Sequence, residues 1–145
     1  MNKSIRYPIL AVMAILATSV GEQLAAQPNG NDQAQCPPQC GVRIDVPGNP
    51  SQEPGSSPET LIVDDGQMVT FATNVRARVV FTGKTPFVND RGNRVFQFQV
   101  DDSGETRLRV SANNECMAEP GCKYIVIDAT NPGRPARDPY IIVRP

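Results

Sequence analysis

Apolar and polar residues alternate along most of the chain with the period of two that belongs to half-buried strands. Val42, Ile44 and Val46 alternate with Arg43 and Asp45 until Pro47 stops the run. From Gln67 to Thr73, Val69 and Phe71 oppose Met68 and Thr70; from Val75 to Phe81, Val75, Ala77 and Val79 oppose Arg76 and Arg78. Val95 to Val100 sets Phe96, Phe98 and Val100 on one face, and Thr106 to Ala112 turns Leu108 and Val110 inward and Arg107 and Arg109 outward. Leu61-Ile62-Val63 is apolar throughout, as are the two late runs that start at Tyr124 and Tyr140. Turn chemistry punctuates these runs at Asp64-Asp65-Gly66, Gly83 to Pro86, Asn89 to Asn93 and Asp101 to Gly104, and Phe87 is expected to plug the core. No segment carries a helical period. Seven or eight short strands at this spacing predict an all-β chain, a small β-sandwich.

Two stretches fall outside the pattern. Residues 47–58 hold four prolines, which lack the ladder donor, and read as a long loop that cannot continue a sheet. The N-terminus begins with Lys3 and Arg6, continues as an apolar run from Ile9 to Val20, and ends in Leu24-Ala25-Ala26, the layout of a cleaved signal peptide over 1–26. Cleavage after Gly21 is the second option, and a buried N-terminal helix the alternative. The run is shorter than the ~20 residues of a membrane span, and no cysteine follows it to take a lipid. Residues 27–40 then form a flexible N-terminal segment, and 41–145 the sandwich domain.

Charge narrows the partners. Without residues 1–26 the chain keeps 12 of its 14 basic and 14 of its 15 acidic side chains. A net charge near −2 excludes a general nucleic-acid or anionic-membrane binder. The chain has no tryptophan, so a core of this size is built mainly from Val, Ile and Leu.

Four cysteines in an exported chain predict two disulfides among Cys36, Cys40, Cys116 and Cys122, with a four-thiolate zinc site as the alternative. Pro37-Pro38 favours an extended path that holds Cys36 and Cys40 about 12 Å apart, whereas a bridge needs Cα atoms within about 7 Å. A local bridge therefore requires a sharp turn there, through a cis bond. Pairing the N-terminal cysteines with Cys116 and Cys122 avoids that turn and closes a longer loop, so the long-range pairing is expected.

The phrase Val63-Asp64-Asp65-Gly66-Gln67-Met68-Val69-Thr70-Phe71, followed by Asn74, resembles the early strands of cupredoxins, and Ig-like strands read similarly. Gly121-Cys122-Lys123-Tyr124 is similar to the Gly-x-Tyr that opens their late strand, with one residue too many. The resemblance covers about a third of the chain. It implies a cupredoxin-like scaffold and no electron transfer, because the chain has no histidine and no cysteine after Tyr124, and a blue-copper site takes both kinds of ligand.

The absence of histidine also excludes Ser-His-Asp and Cys-His triads. Asp64/Asp65 and Asp101/Asp102 are candidate acid–base pairs, and Asp101 to Glu105 a candidate calcium loop. All precede or surround turn glycines, where Asp serves its own backbone. Neither cysteine pair has the C-x-x-C spacing of an exchange site. Arg76, Arg78, Arg107 and Arg109 remain. If their strands are neighbours in one sheet, they form a basic stripe facing an anionic partner; otherwise they only keep an outer face soluble. The expectation is a periplasmic or secreted, non-catalytic binding or structural module that needs no cofactor. The alternatives are an envelope enzyme using carboxylates or a metal, and a purely structural or stress-related domain.

Overall fold

The computed structural model describes residues 32–111, 116–117, 120–134 and 136–144; the signal peptide expected over 1–26 lies outside them. These residues form eleven strands: β1 (Gln33–Cys36), β2 (Gly41–Asp45), β3 (Gly55–Ser57), β4 (Thr60–Asp64), β5 (Met68–Thr73), β6 (Ala77–Phe81), β7 (Phe87–Val88), β8 (Gln97–Val100), β9 (Glu105–Val110), β10 (Cys122–Asp128) and β11 (Tyr140–Arg144). One sheet runs β1-β4-β11-β10-β6-β8 and the other β3-β2-β5-β9-β7. The chain is an all-β sandwich. Among the described residues no helix is long and apolar enough to cross a membrane.

Most connections pass from one sheet to the other; only β2–β3 and β10–β11 follow each other within a sheet. Three neighbouring pairs are parallel as a result: β1 with β4, β4 with β11, and β2 with β5. The alternating positions meet between the layers. Val42, Ile44, Val69, Phe71 and Val110 of the five-stranded sheet bury against Leu61, Val63, Val79, Tyr124, Val126 and Ile141 of the six-stranded one. Phe71 is the hub, edge-on to Phe87, Phe98 and Tyr124 at ring separations of 5.7, 4.9 and 6.2 Å. Phe87 is fully buried, as the sequence predicts. Burial pushes the Tyr124 hydroxyl well above its ordinary pKa, and that hydroxyl meets the Ser56 Oγ at 3.2 Å across the layers.

Four expectations are corrected. Residues 33–36, assigned to a flexible lead-in, are an edge strand that pairs with β4 through Cys36↔Val63. An edge strand needs only backbone groups and one buried anchor, here Cys36, so it leaves no alternation to read. Within the proline-rich loop, Gly55–Ser57 pairs with β2 because these three residues, between Pro54 and Pro58, keep their N–H groups. Phe96 is exposed, not in the core. Val95 N–H donates to Phe87 of the five-stranded sheet while Phe96 accepts from Phe81 of the six-stranded one, so the chain changes sheets there and the alternation slips.

The disulfides are local. Cys36 bonds Cys40 and Cys116 bonds Cys122, with Cα separations of 4.6 and 5.0 Å. Both Cys36–Pro37 and Pro37–Pro38 are cis, which doubles the chain back where an extended path was expected. Loops this short each constrain the unfolded chain by only about 2 kcal/mol, against about 4.5 for a long-range bridge. Cleavage anywhere between residues 41 and 115 of the denatured, unreduced protein is therefore expected to release fragments that separate without reductant. Fragments that stay linked until reduced would restore the long-range pairing.

Candidate functional site

The arginines follow from which sheet each strand joins. Arg78 lies on β6 and Arg76 just before it, in the six-stranded sheet, whereas Arg107 and Arg109 lie on β9, in the five-stranded one. The outer faces of a sandwich point away from each other, so the four do not form one stripe. Acidic side chains also interleave: Arg76 pairs with Asp101 at 3.4 Å and Arg107 with Glu105 at 3.3 Å, both in solvent. Exposed pairs of this kind contribute little to stability.

The five-stranded sheet supplies an arginine that sequence reading did not single out. Arg43 on β2 stands in register with Ala72 on β5, and Ala72 with Glu105 on β9. One step along, Gly41 registers with Thr70, and Thr70 with Arg107; a further step brings Met68 opposite Arg109, and Arg109 opposite Val88. The outer face is thus floored by short side chains and flanked by Arg43 and Arg107. A cavity of about 490 Å³ opens there, lined by Arg43, Thr70, Ala72, Glu105 and Arg107 among others. Gly41 also lines it, and a Cβ added there would meet no atom within 4 Å. A second cavity of about 480 Å³ adjoins it, lined by Met68, Val88, Asn89, Asp90, Gly92 and Arg109. Thr70 and Met68, like Arg107 and Arg109, are alternate residues of one strand, so the second cavity follows the first along β5 and β9. Among the described residues Arg43 and Arg109 form no ion pair.

Of the carboxylate candidates, Asp64, Asp101 and Asp102 have local partners. Asp64 is bound by Arg144 across β4 and β11. Asp101 accepts from the Gln99 amide at 2.7 Å, and its carbonyl from Gly104 N–H at 2.9 Å. No three His, Cys, Asp or Glu side chains gather among the described residues. A further open cavity, lined by Asp45, Glu53 and Arg137 among others, has its arginine paired with Glu53 at 3.6 Å in solvent.

Among the described ion pairs, the most buried joins the last residue of β10 to the loop that follows it. Arg134 and Asp128 expose only 4% and 5% of their side chains and meet at 3.3 Å. Asp128 also accepts from the Thr130 hydroxyl and the N–H groups of Thr130 and Asn131. The Thr130 hydroxyl first, then these N–H groups and Arg134, hold its carboxyl below the ordinary range. Arg134 donates three further hydrogens to the carbonyls of Pro47, Asn49 and Gln52. Every partner is internal, so this cluster is a clamp between two loops. The Asp-Ala-Thr-Asn sequence signals the Asx turn, but nothing local reveals that Arg134 reaches residues 47–52.

No protein-family model matches the chain, and no curated protein matches it. Among solved structures it is similar to a purple cupredoxin from Nitrosopumilus maritimus, at 16% identity and TM-score 0.40, over 70% of this chain and 97% of that one. It is also similar to a copper-containing nitrite reductase from Thermus scotoductus SA-01, at 16% identity and TM-score 0.45, over 81% of this chain. The match spans 29% of the reductase, under a third of its length. With TM-scores under 0.5 these likenesses add nothing to the sandwich that the strand pairing establishes.

A copper site does not fit these residues. The chain has no histidine, and all four cysteines are consumed in disulfides. The imidazole and thiolate donors of a blue-copper centre are therefore lacking.

Proposed function

We propose that this chain is an exported, non-catalytic β-sandwich that binds an anionic partner on the outer face of its five-stranded sheet. The observation that carries the reading is the cavity between Arg43 and Arg107, extended by Arg109, with Arg43 and Arg109 unpaired among the described residues. A guanidinium presents several donors in a planar fork suited to carboxylate or phosphate. The floor is short and largely apolar, and of the carboxylates that could serve acid–base chemistry Asp64, Asp101 and Asp102 are engaged in ion pairs and hydrogen bonds. Two disulfides and the signal-like N-terminus support export to an oxidising compartment, the periplasm or the cell exterior.

The test is a nuclear magnetic resonance titration of the protein with polyglutamate at low ionic strength, where such contacts are least screened. Shifts are expected on β2, β5 and β9, and are expected to vanish in the Arg43→Ala/Arg107→Ala double variant. Arg78→Ala, on the opposite face, should leave them unchanged. Shifts spread over both sheets, or indifferent to the double variant, would reject the reading.

A further inference from the structure

We infer that the ligand of this face is an extended peptide alternating acidic and aliphatic residues, lying along β5 across both cavities. The inference rests on the five-stranded face being the binding site and adds the class of ligand. Arg107 and Arg109 are alternate residues of β9, so their Cα atoms lie about 6.8 Å apart. Alternate residues of an extended peptide have the same pitch. A chain lying on its edge over Thr70 and Met68 sends one set of side chains toward β9 and the other toward β2. Acidic side chains on the first side meet Arg107 and Arg109 in step. Aliphatic ones on the second side cover Gly41 and Ala72, and Met68, among the few large apolar side chains left exposed, lies beneath the chain.

Charge alone would suit an acidic polysaccharide equally well. No aromatic side chain lines either cavity, however, so a sugar ring has no platform to stack on. Acidic groups on the face set a limit as well. Glu105 holds Arg107 from one side and Asp90 borders the second cavity, and toward β2 the face offers a carboxylate only Arg43, so a ligand bearing an acid at every residue leaves most of its acids on that side unmatched.

The experiment compares three probes by fluorescence anisotropy with the full protein: a heptapeptide alternating Glu and Leu, an all-Glu heptapeptide and a tetragalacturonate. The alternating peptide is expected to bind tightest. Arg109→Ala should weaken it about tenfold, the scale of one lost hydrogen bond to a charged group, and Gly41→Val should weaken it by filling the floor without touching a charge. Arg78→Ala should not change it. If the all-Glu peptide or the galacturonate binds as well or better, still dependent on Arg43 and Arg107, the peptide class is overturned and the anionic face stands. If none of the three binds, both readings fall.

Discussion

Replacing Arg134 by alanine is expected to destabilise the protein by about 3–5 kcal/mol, the scale of a buried ion pair that loses one partner. The size follows from what the guanidinium leaves behind. Asp128 stays buried without its cation, and the carbonyls of Pro47, Asn49 and Gln52 lose their donors together. Asp128 bears most of the penalty, because its side chain is enclosed whereas the Asn49 and Gln52 carbonyls belong to exposed residues and can turn to water. Arg134→Lys keeps the charge and loses the fork, and should fall between wild type and alanine. Chemical denaturation at pH 7 measures both.

The same clamp sets an acid limb. The Asp128 carboxyl lies below its ordinary value in the fold, so its contribution is fully present above the unfolded pKa of about 3.9. It is lost as pH falls through the depressed native value. Stability measured from pH 7 to pH 2 should drop in that acid range, and less steeply in Asp128→Asn. An identical slope in that variant would assign the acid limb to other carboxylates.

The second large effect is expected at Gly121, which precedes the disulfide-bonded Cys122 at the start of β10. Its φ of +88° is strained for any residue with a Cβ. A Cβ there would also lie 2.4 Å from the carbonyl oxygen of Ile141 and 2.8 Å from Cγ1 of Ile142. Backbone strain of about 1–3 kcal/mol and overpacking of about 1–3 kcal/mol both apply, so Gly121→Ala should cost roughly 2–6 kcal/mol. Gly66 separates the two causes. It also has positive φ, at 76°, but its Cβ would meet nothing within 4 Å, so Gly66→Ala should show the strain alone. Equal losses at the two positions would remove the steric contribution assigned to Ile141 and Ile142.

How far the chain could be read ahead of its fold depended on the range of each interaction. Side-chain alternation is a property of single strands, and it placed Val42, Ile44, Val69, Phe71, Val79 and Val110 in the core correctly. It failed at Phe96 because the chain changes sheets beside it. It was silent on β1 and β3, whose three or four residues are held by backbone pairing at sheet edges. The disulfide pairing went astray because Pro37 and Pro38 are cis, and a proline pair does not announce its isomer.

The candidate site shows the same division. The arginines on β6 and β9 were correctly turned outward by their own alternation, since a strand with Val and Ala on one side must expose the other. Whether those strands were neighbours depended on connections that pass between layers, and β6 and β9 ended in different sheets. Arg43 joined Arg107 by the same rule, through parallel pairing of β2 with β5, strands separated in sequence by β3 and β4. By itself, therefore, the sequence determined the fold class, the buried face of most strands and the absence of histidine ligands, all of which are local or compositional. The grouping of side chains from separate strands was decided only in the tertiary structure, because a strand's own pattern states which face is buried and carries no record of its neighbour.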